Sequence, residues 1–120
     1  MLRVAIADDH DELRELLREV LGELGAVEVV GEAADGDEVP AMVAECRPDV
    51  VIMDYSMPRV DGLTATYRLR SAHPAVEVVA FTSTADPAIV EAFRAFGAGP
   101  HFDKSDLDGM LGYLDRRAGA

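Results

Sequence analysis

The sequence predicts an α/β fold, a (βα)5 doubly wound five-stranded parallel sheet, from three observations. Five short apolar runs alternate with helix-period segments, the central runs are continuously apolar, and acidic and basic residues fall at the carboxyl ends of the runs. Continuous apolarity marks strands covered on both faces, and strict strand–helix alternation marks a parallel sheet.

The strand-like runs are Leu2 to Ala7, Val27 to Gly31, Asp49 to Met53, Val76 to Thr82 and His101 to Asp103. After the first run, Leu13, Leu16, Leu17, Val20, Leu21 and Leu24 follow i, i+3, i+4, i+7, i+8 and i+11, one helical stripe able to pack on a sheet. The second helix carries Val39, Met42, Val43 and Cys46, the fourth Ile89, Phe93 and Phe96, and the last Leu107, Met110, Leu111 and Leu114. Asp86-Pro87 reads as an N-cap followed by a first-turn proline, and Ser105 precedes Asp108 by three in a box-like arrangement.

The 120 residues predict a single domain, 1-120, long enough to bury roughly two-thirds of the surface its unfolded chain exposes. Linkers are short, with no repeats or low-complexity tracts. No apolar run approaches the roughly 18 residues of a membrane span, and the first strand begins at Leu2 without a signal-peptide pattern, so a soluble, cytoplasmic protein without membrane contact is expected. Cys46 is the only cysteine, which excludes an internal disulfide and suggests a small buried hydrophobe. A net charge of −12, with Arg116-Arg117 as the one local basic cluster, argues against direct nucleic-acid binding.

In such sheets ligands bind beyond the carboxyl ends of the strands, at a topological switch point. Asp8, Asp9, Asp54, Thr82 and Lys104 all fall there, and Lys104 is the sole lysine. Asp54 stands directly behind Val50-Val51-Ile52-Met53 and before a loop marked by Pro58 and Gly62, which makes it the candidate reactive group. Three carboxylates sharing a cleft would repel one another by several kcal/mol at an effective dielectric of about 20, which invites a divalent cation. All-oxygen ligation favours magnesium or calcium, and a site that keeps several waters suits magnesium. His10, His73 and His101 are too widely separated to form a zinc pattern. An aspartate beside such a cation can act as nucleophile toward a phosphoryl group, with Lys104 neutralising charge and the Thr82 hydroxyl donating to the same oxygens. Taken one at a time, Asp8 or Asp9 could instead cap the first helix, Thr82 could be a β-branched strand residue, and Lys104 a solvated charge.

Together, Ile6-Ala7-Asp8-Asp9-His10, Gly31-Glu32-Ala33-Ala34-Asp35-Gly36, Met57-Pro58 and Asp61-Gly62 after Asp54, Thr82, and Gly97-Ala98 before Lys104 resemble a bacterial two-component response-regulator receiver domain over essentially the whole length. The resemblance implies a flavodoxin-like receiver fold in which Asp54 accepts a phosphoryl group from a sensor histidine kinase or phosphotransfer protein and later loses it by hydrolysis. It implies that Asp9, Asp54 and the backbone carbonyl of Ser56 bind Mg2+, with Asp8 acting through water, and that Lys104 and Thr82 hold the phosphoryl oxygens. It further implies a switch in which Thr82 moves toward the phosphoryl group while the side chain at His101 turns inward. The opening and Val30-Gly31-Glu32-Ala33-Ala34 are similar to receivers of LuxR-type helix-turn-helix regulators, so control of an output domain or partner, and of transcription, is expected. Homodimerisation would use the fourth helix, fifth strand and fifth helix. Turnover of an external substrate is not expected.

The sequence departs from the family's pattern in three places. His101 replaces the usual tyrosine or phenylalanine, which would make the switch responsive to pH through a group whose ordinary pKa is about 6.5. Pro100 stands where glycine is frequent, and Ser105 follows Lys104 where many receivers have proline; a cis peptide before a non-proline residue would cost about 2.5–4 kcal/mol. Two rival readings use the same residues. A magnesium-dependent phosphatase with an aspartyl-phosphate intermediate needs a second aspartate two positions after Asp54, where Ser56 cannot do the proton work. A receiver-like module acting by contact alone would not need the acceptor set.

Overall fold

The computed structural model describes residues 1–119. In chain order the elements are β1 (Leu2–Ala7), α1 (Asp11–Gly22), β2 (Val27–Ala33), a 3-10 turn (Gly36–Glu38), α2 (Val39–Cys46), β3 (Val50–Met53), α3 (Gly62–Ala72), β4 (Glu77–Thr82), α4 (Pro87–Ala95), β5 (His101–Asp103) and α5 (Leu107–Gly119). All strand pairings are parallel, in the order β2-β1-β3-β4-β5. This is the flavodoxin-like order, whose switch point lies between β1 and β3.

Alternation along the strands divides the core in two. Val4, Ile6, Val50, Ile52, Val79 and Phe81 face Leu17 and Leu21 of α1 and Met110 and Leu114 of α5. Ala5, Ala7, Val51, Met53, Val78 and Ala80 face α2, α3 and α4 through Val39, Met42, Val43, Ala65, Leu69 and Phe93. Every residue of β3 is buried, as the unbroken apolar run requires of a strand covered on both sides.

Several boundaries differ from the sequence reading, each for a local reason. β2 continues to Ala33 because Ile6 and Ala7 pair with Glu32 and Ala33 after a register shift at Val4/Ala5, which apolarity alone did not mark. Asp106, not Ser105, caps α5: its carboxylate accepts from Gly109 N at 3.0 Å. Asp86 and Pro87 start α4 as expected, Asp86 accepting from Ala88 N at 2.9 Å. Leu16 lies on the exposed side of α1, and Phe96, which follows α4 as its C-cap, is exposed against the ring of Tyr67. Cys46 is half-buried, not buried, and packs so closely under Gly31 that a Cβ there would stand 2.7 Å from its sulfur. Among the described residues there is no cis peptide bond, and no helix is long and apolar enough to cross a membrane.

Candidate functional site

The strand ladder continues one residue past three strands and thereby fixes the backbone of the site. Asp8 N donates to Ala33 O (3.0 Å), Asp54 N to Ala7 O (2.9 Å) and Lys104 N to Thr82 O (2.8 Å). Asp8 and Asp54 thus sit side by side over the switch point, with Thr82 closing β4 and Lys104 just past β5.

The side chains converge. Lys104 Nζ lies 2.9 Å from Asp8 Oδ2 and 3.2 Å from Asp54 Oδ2, bridging two carboxylates that are almost wholly buried. Asp54 Oδ1 accepts from Tyr55 N at 2.8 Å. Burial and then the Asp8 charge push the Asp54 carboxyl above its ordinary pKa, with Lys104 and the Tyr55 N–H opposing. Burial alone would lower the Lys104 pKa, but its bonds to Asp8 and Asp54 outweigh that and raise it, so the ammonium stays charged.

Neither Asp8 nor Asp9 is the N-cap of α1; His10 holds that position without a side-chain cap, and Asp8 Oδ1 accepts from His10 N (2.9 Å) and contacts His10 Nδ1 (3.0 Å). Oxygens of Asp8, Asp9 and Asp54 and a ring nitrogen of His10 all lie within 4.8 Å of one another. Asp9 Oδ1 is buried with no hydrogen-bond partner among the described residues, although His10 Nδ1 lies 3.2 Å away. An unmet buried carboxylate oxygen, in a cluster with more negative charge than Lys104 cancels, fits a hard divalent cation. These residues could hold a metal ion. Ser56 borders the same cleft of about 350 Å³, with His10, Asp54, Tyr55, Ser83, Thr84 and Lys104.

Thr82 and His101 also meet, Oγ1 and Nε2 being 2.8 Å apart. His101 is half-buried, with its ring centroid 5.8 Å from that of Phe93, so it is not an exposed strand-end histidine. Burial lowers its pKa, with Asp103 opposing.

The loop after Asp54 is held from two sides. Gly62 N donates to Tyr55 O at 2.8 Å, and a Cβ on Gly62 would fall 1.7 Å from Asp54 O, so α3 starts against the backbone of Asp54 only because that residue is glycine. Asp61 caps α3, accepting from Thr64 N at 2.8 Å. The buried Asp35 carboxylate accepts from Asp37 N (2.9 Å), Arg59 N (2.8 Å) and Val60 N (3.1 Å). Burial pushes the Asp35 pKa up, yet these N–H groups win and bring it to about 2. Asp61-Gly62 and Asp35-Gly36, which the sequence marked only as resemblance, are therefore mechanical parts. Arg14 is a residue the sequence reading missed: its Nη1 donates to the carbonyl of Asp8 at 2.6 Å, although as one charge on a helix it carried no distinguishing signal.

Comparison with known proteins accounts for this arrangement. The response regulator receiver domain family matches residues 4–111. The chain is 40% identical over 100 residues to the response regulator GacA of Pseudomonas viridiflava, covering 82% of this chain and 47% of that one. It is 42% identical over 99 residues to protein-glutamate methylesterase/protein-glutamine glutaminase 4 of Geobacter metallireducens, covering 82% of this chain and 28% of that one. A two-component response regulator of the LuxR family from Aurantimonas sp. superposes with a TM-score of 0.90 at 29% identity, over 98% of this chain and 84% of that one. The likeness to LuxR-type receivers is upheld, and transcriptional regulators are among the relatives.

The chain spans about half the length of the first of these relatives and about a quarter of the second. The second relative corrects the expectation that no external substrate is turned over. It is an enzyme, as its name states, and the match falls on a minor part of it, so the relatives of this chain include enzymes as well as transcriptional regulators. With its buried aspartates, bridging lysine and five parallel strands in this order, the chain belongs to the response regulator receiver domain family, the phosphoacceptor domains of two-component systems.

Proposed function

We propose that Asp54 is the phosphoacceptor and that residues 1-120 act as one receiver unit, phosphorylated from a sensor histidine kinase or phosphotransfer protein in the cytoplasm. The observation that carries this is Lys104 Nζ placed between Asp8 and Asp54 while Asp9 Oδ1 beside them has no partner. Mg2+ would be held by Asp9, Asp54 and the Ser56 carbonyl, with Asp8 acting through water, and would neutralise charge on the transferring phosphoryl group.

An Asp54 oxygen forms the new bond to phosphorus as the phosphorus–nitrogen bond to the donor imidazole breaks, and the imidazole keeps that electron pair. Lys104 is released from its bridge to Asp54 Oδ2 as that oxygen is phosphorylated to the acyl phosphate, and its three donors then meet the phosphoryl oxygens. Thr82 gives up His101 to donate to the same group, which frees the imidazole to turn and alter the surface of α4, β5 and α5. That surface would pair two copies or contact an output domain. Hydrolysis restores the carboxylate when water attacks phosphorus: the Asp54 O–P bond breaks, the carboxylate keeps the electron pair, and inorganic phosphate leaves.

The test is intact-protein mass spectrometry after incubation with a small phosphodonor, with and without Mg2+, on the native chain and on Asp54→Asn. A single adduct that requires Mg2+ and disappears in the variant is expected. No adduct from any donor, or an adduct that survives in Asp54→Asn, overturns the assignment.

A further inference from the structure

Asp8 is gripped on every polar atom. Its N–H bonds Ala33 O, its Oδ1 accepts from His10 N, its Oδ2 meets Lys104, and its carbonyl accepts from Arg14. Asp9, the residue with the unpartnered buried oxygen, has no such side-chain support. The carbonyl of Asp8 belongs to the peptide group that carries the nitrogen of Asp9, and a peptide group is planar. A guanidinium that holds this carbonyl therefore fixes the N–Cα bond from which the Asp9 side chain departs, without occupying either of its carboxylate oxygens.

Arg14 is itself well held. Its side chain is 15% exposed, and it leaves Nη1 for Asp8 O (2.6 Å) while Nε donates to Glu32 Oε1 (3.1 Å) and Nη2 donates to Asp11. Arg18 holds the other oxygen of Glu32 at 2.8 Å and does not reach the site. Glu32 and Asp11 offset the charge of Arg14, so a cation near Asp9 does not face a bare guanidinium. The geometry is that of an outer partner that orients a ligand rather than binding the metal.

We infer that Arg14 is a positioning residue for the acidic pair, fixing the Asp8-Asp9 peptide so that the Asp9 carboxylate faces the cation site with both oxygens available. This rests on the proposal that the pair binds Mg2+. It makes a prediction whose sign separates it from simple electrostatics. Removing a positive charge next to a cation site tightens cation binding if charge alone matters. Losing the clamp on the peptide weakens it.

The experiment is a Mg2+ titration followed by backbone amide NMR shifts, with thermal unfolding of each protein alongside, for the native chain, Arg14→Ala, Arg14→Lys and Arg18→Ala. Arg14→Ala is expected to weaken Mg2+ binding by about tenfold, the lower end of the loss when an outer partner is removed. Arg18→Ala, which removes a like charge from the same Glu32, is expected to bind as the native chain does. Should Arg14→Ala fail to fold, Arg14→Lys keeps the charge but not the fork, and an intermediate weakening is expected. Native-like or tighter binding in a folded Arg14→Ala, or in Arg14→Lys if that alone folds, overturns the inference and leaves the functional reading intact. A native chain that does not respond to Mg2+ overturns both.

Discussion

Thr82 and His101 share a hydrogen bond of 2.8 Å between Oγ1 and Nε2, joining the last residue of β4 to the first of β5 beneath the ring of Phe93. Burial lowers the His101 pKa, and Asp103 only partly opposes this, while Glu91 and Arg94 of α4 border the cleft in front of the ring. The folded chain thus takes up this proton less readily than the unfolded one. Below about 6.5 the unfolded state gains protons first, so stability falls with pH until the folded pKa is passed. Thermal unfolding of the native chain should lose more between pH 7 and pH 5.5 than that of His101→Phe; parallel slopes for the two proteins would remove His101 as the cause.

The Asp35 carboxylate acts in the same direction, losing stability as pH falls, but in a lower pH window. Its pKa falls from the ordinary 3.8 to about 2, so its contribution is complete above the ordinary value and is lost only as pH drops through about 2. Asp35→Ala should unfold more easily than the native chain at pH 7 by a margin that persists to pH 4 and narrows toward pH 2. Measured by urea unfolding at stepped pH, a margin that closes by pH 4 would show that the buried carboxylate is not held as these three N–H groups imply.

Most of the sheet could be read from the sequence because a strand covered on both faces has no polar side to interrupt its apolar run. Val50 to Met53 is the clearest case, and the acidic residue behind it needed no further signal. The end of β2 was less legible because Gly31 and Glu32 break the pattern at a register shift, and pairing, not apolarity, extends that strand. Phe96 was misjudged because helical periodicity does not say where a helix stops: it is the C-cap of α4, turned outward beside Gly97 at φ 101. Arg14 was invisible for a different reason. Its role lies in a bond to a main-chain carbonyl six residues earlier, and the sequence gives no sign of which charge on a helix reaches back to a loop.

Gly62 makes a prediction through shape. A Cβ at this position would stand 1.7 Å from Asp54 O, a backbone atom that cannot swing aside, whereas at Gly22 at the end of α1 nothing lies within 4 Å. Gly62→Ala should destabilise by about 1–3 kcal/mol or more, as overpacking does, and should also displace the loop that carries Ser56. Gly22→Ala serves as the comparison and should be neutral or stabilising by up to about 1 kcal/mol. Equal urea midpoints for the two variants would mean that α3 can shift away from Asp54 at no cost.

The buried Asp54 carboxylate should cost the free protein stability. Burial and the neighbouring Asp8 raise the Asp54 pKa, so its charged form is less favourable in the folded chain than in the unfolded one, and stability declines as pH rises through the folded value. Lys104 offsets part of this by bridging to Asp8 as well, and that second bridge survives when Asp54 is neutralised. Asp54→Asn should therefore raise stability at pH 7 in the absence of divalent cations by about 1 kcal/mol, the size of a typical single stabilising change, while abolishing phosphorylation. Adding Mg2+ should narrow the difference, because a cation bound by Asp54 would stabilise only the native chain. Urea unfolding with chelator and with Mg2+ measures both effects. A variant less stable than the native chain in chelator would mean that the bridge to Lys104 outweighs the burial of charge, and that the site is held together by its ion pairs rather than strained by them.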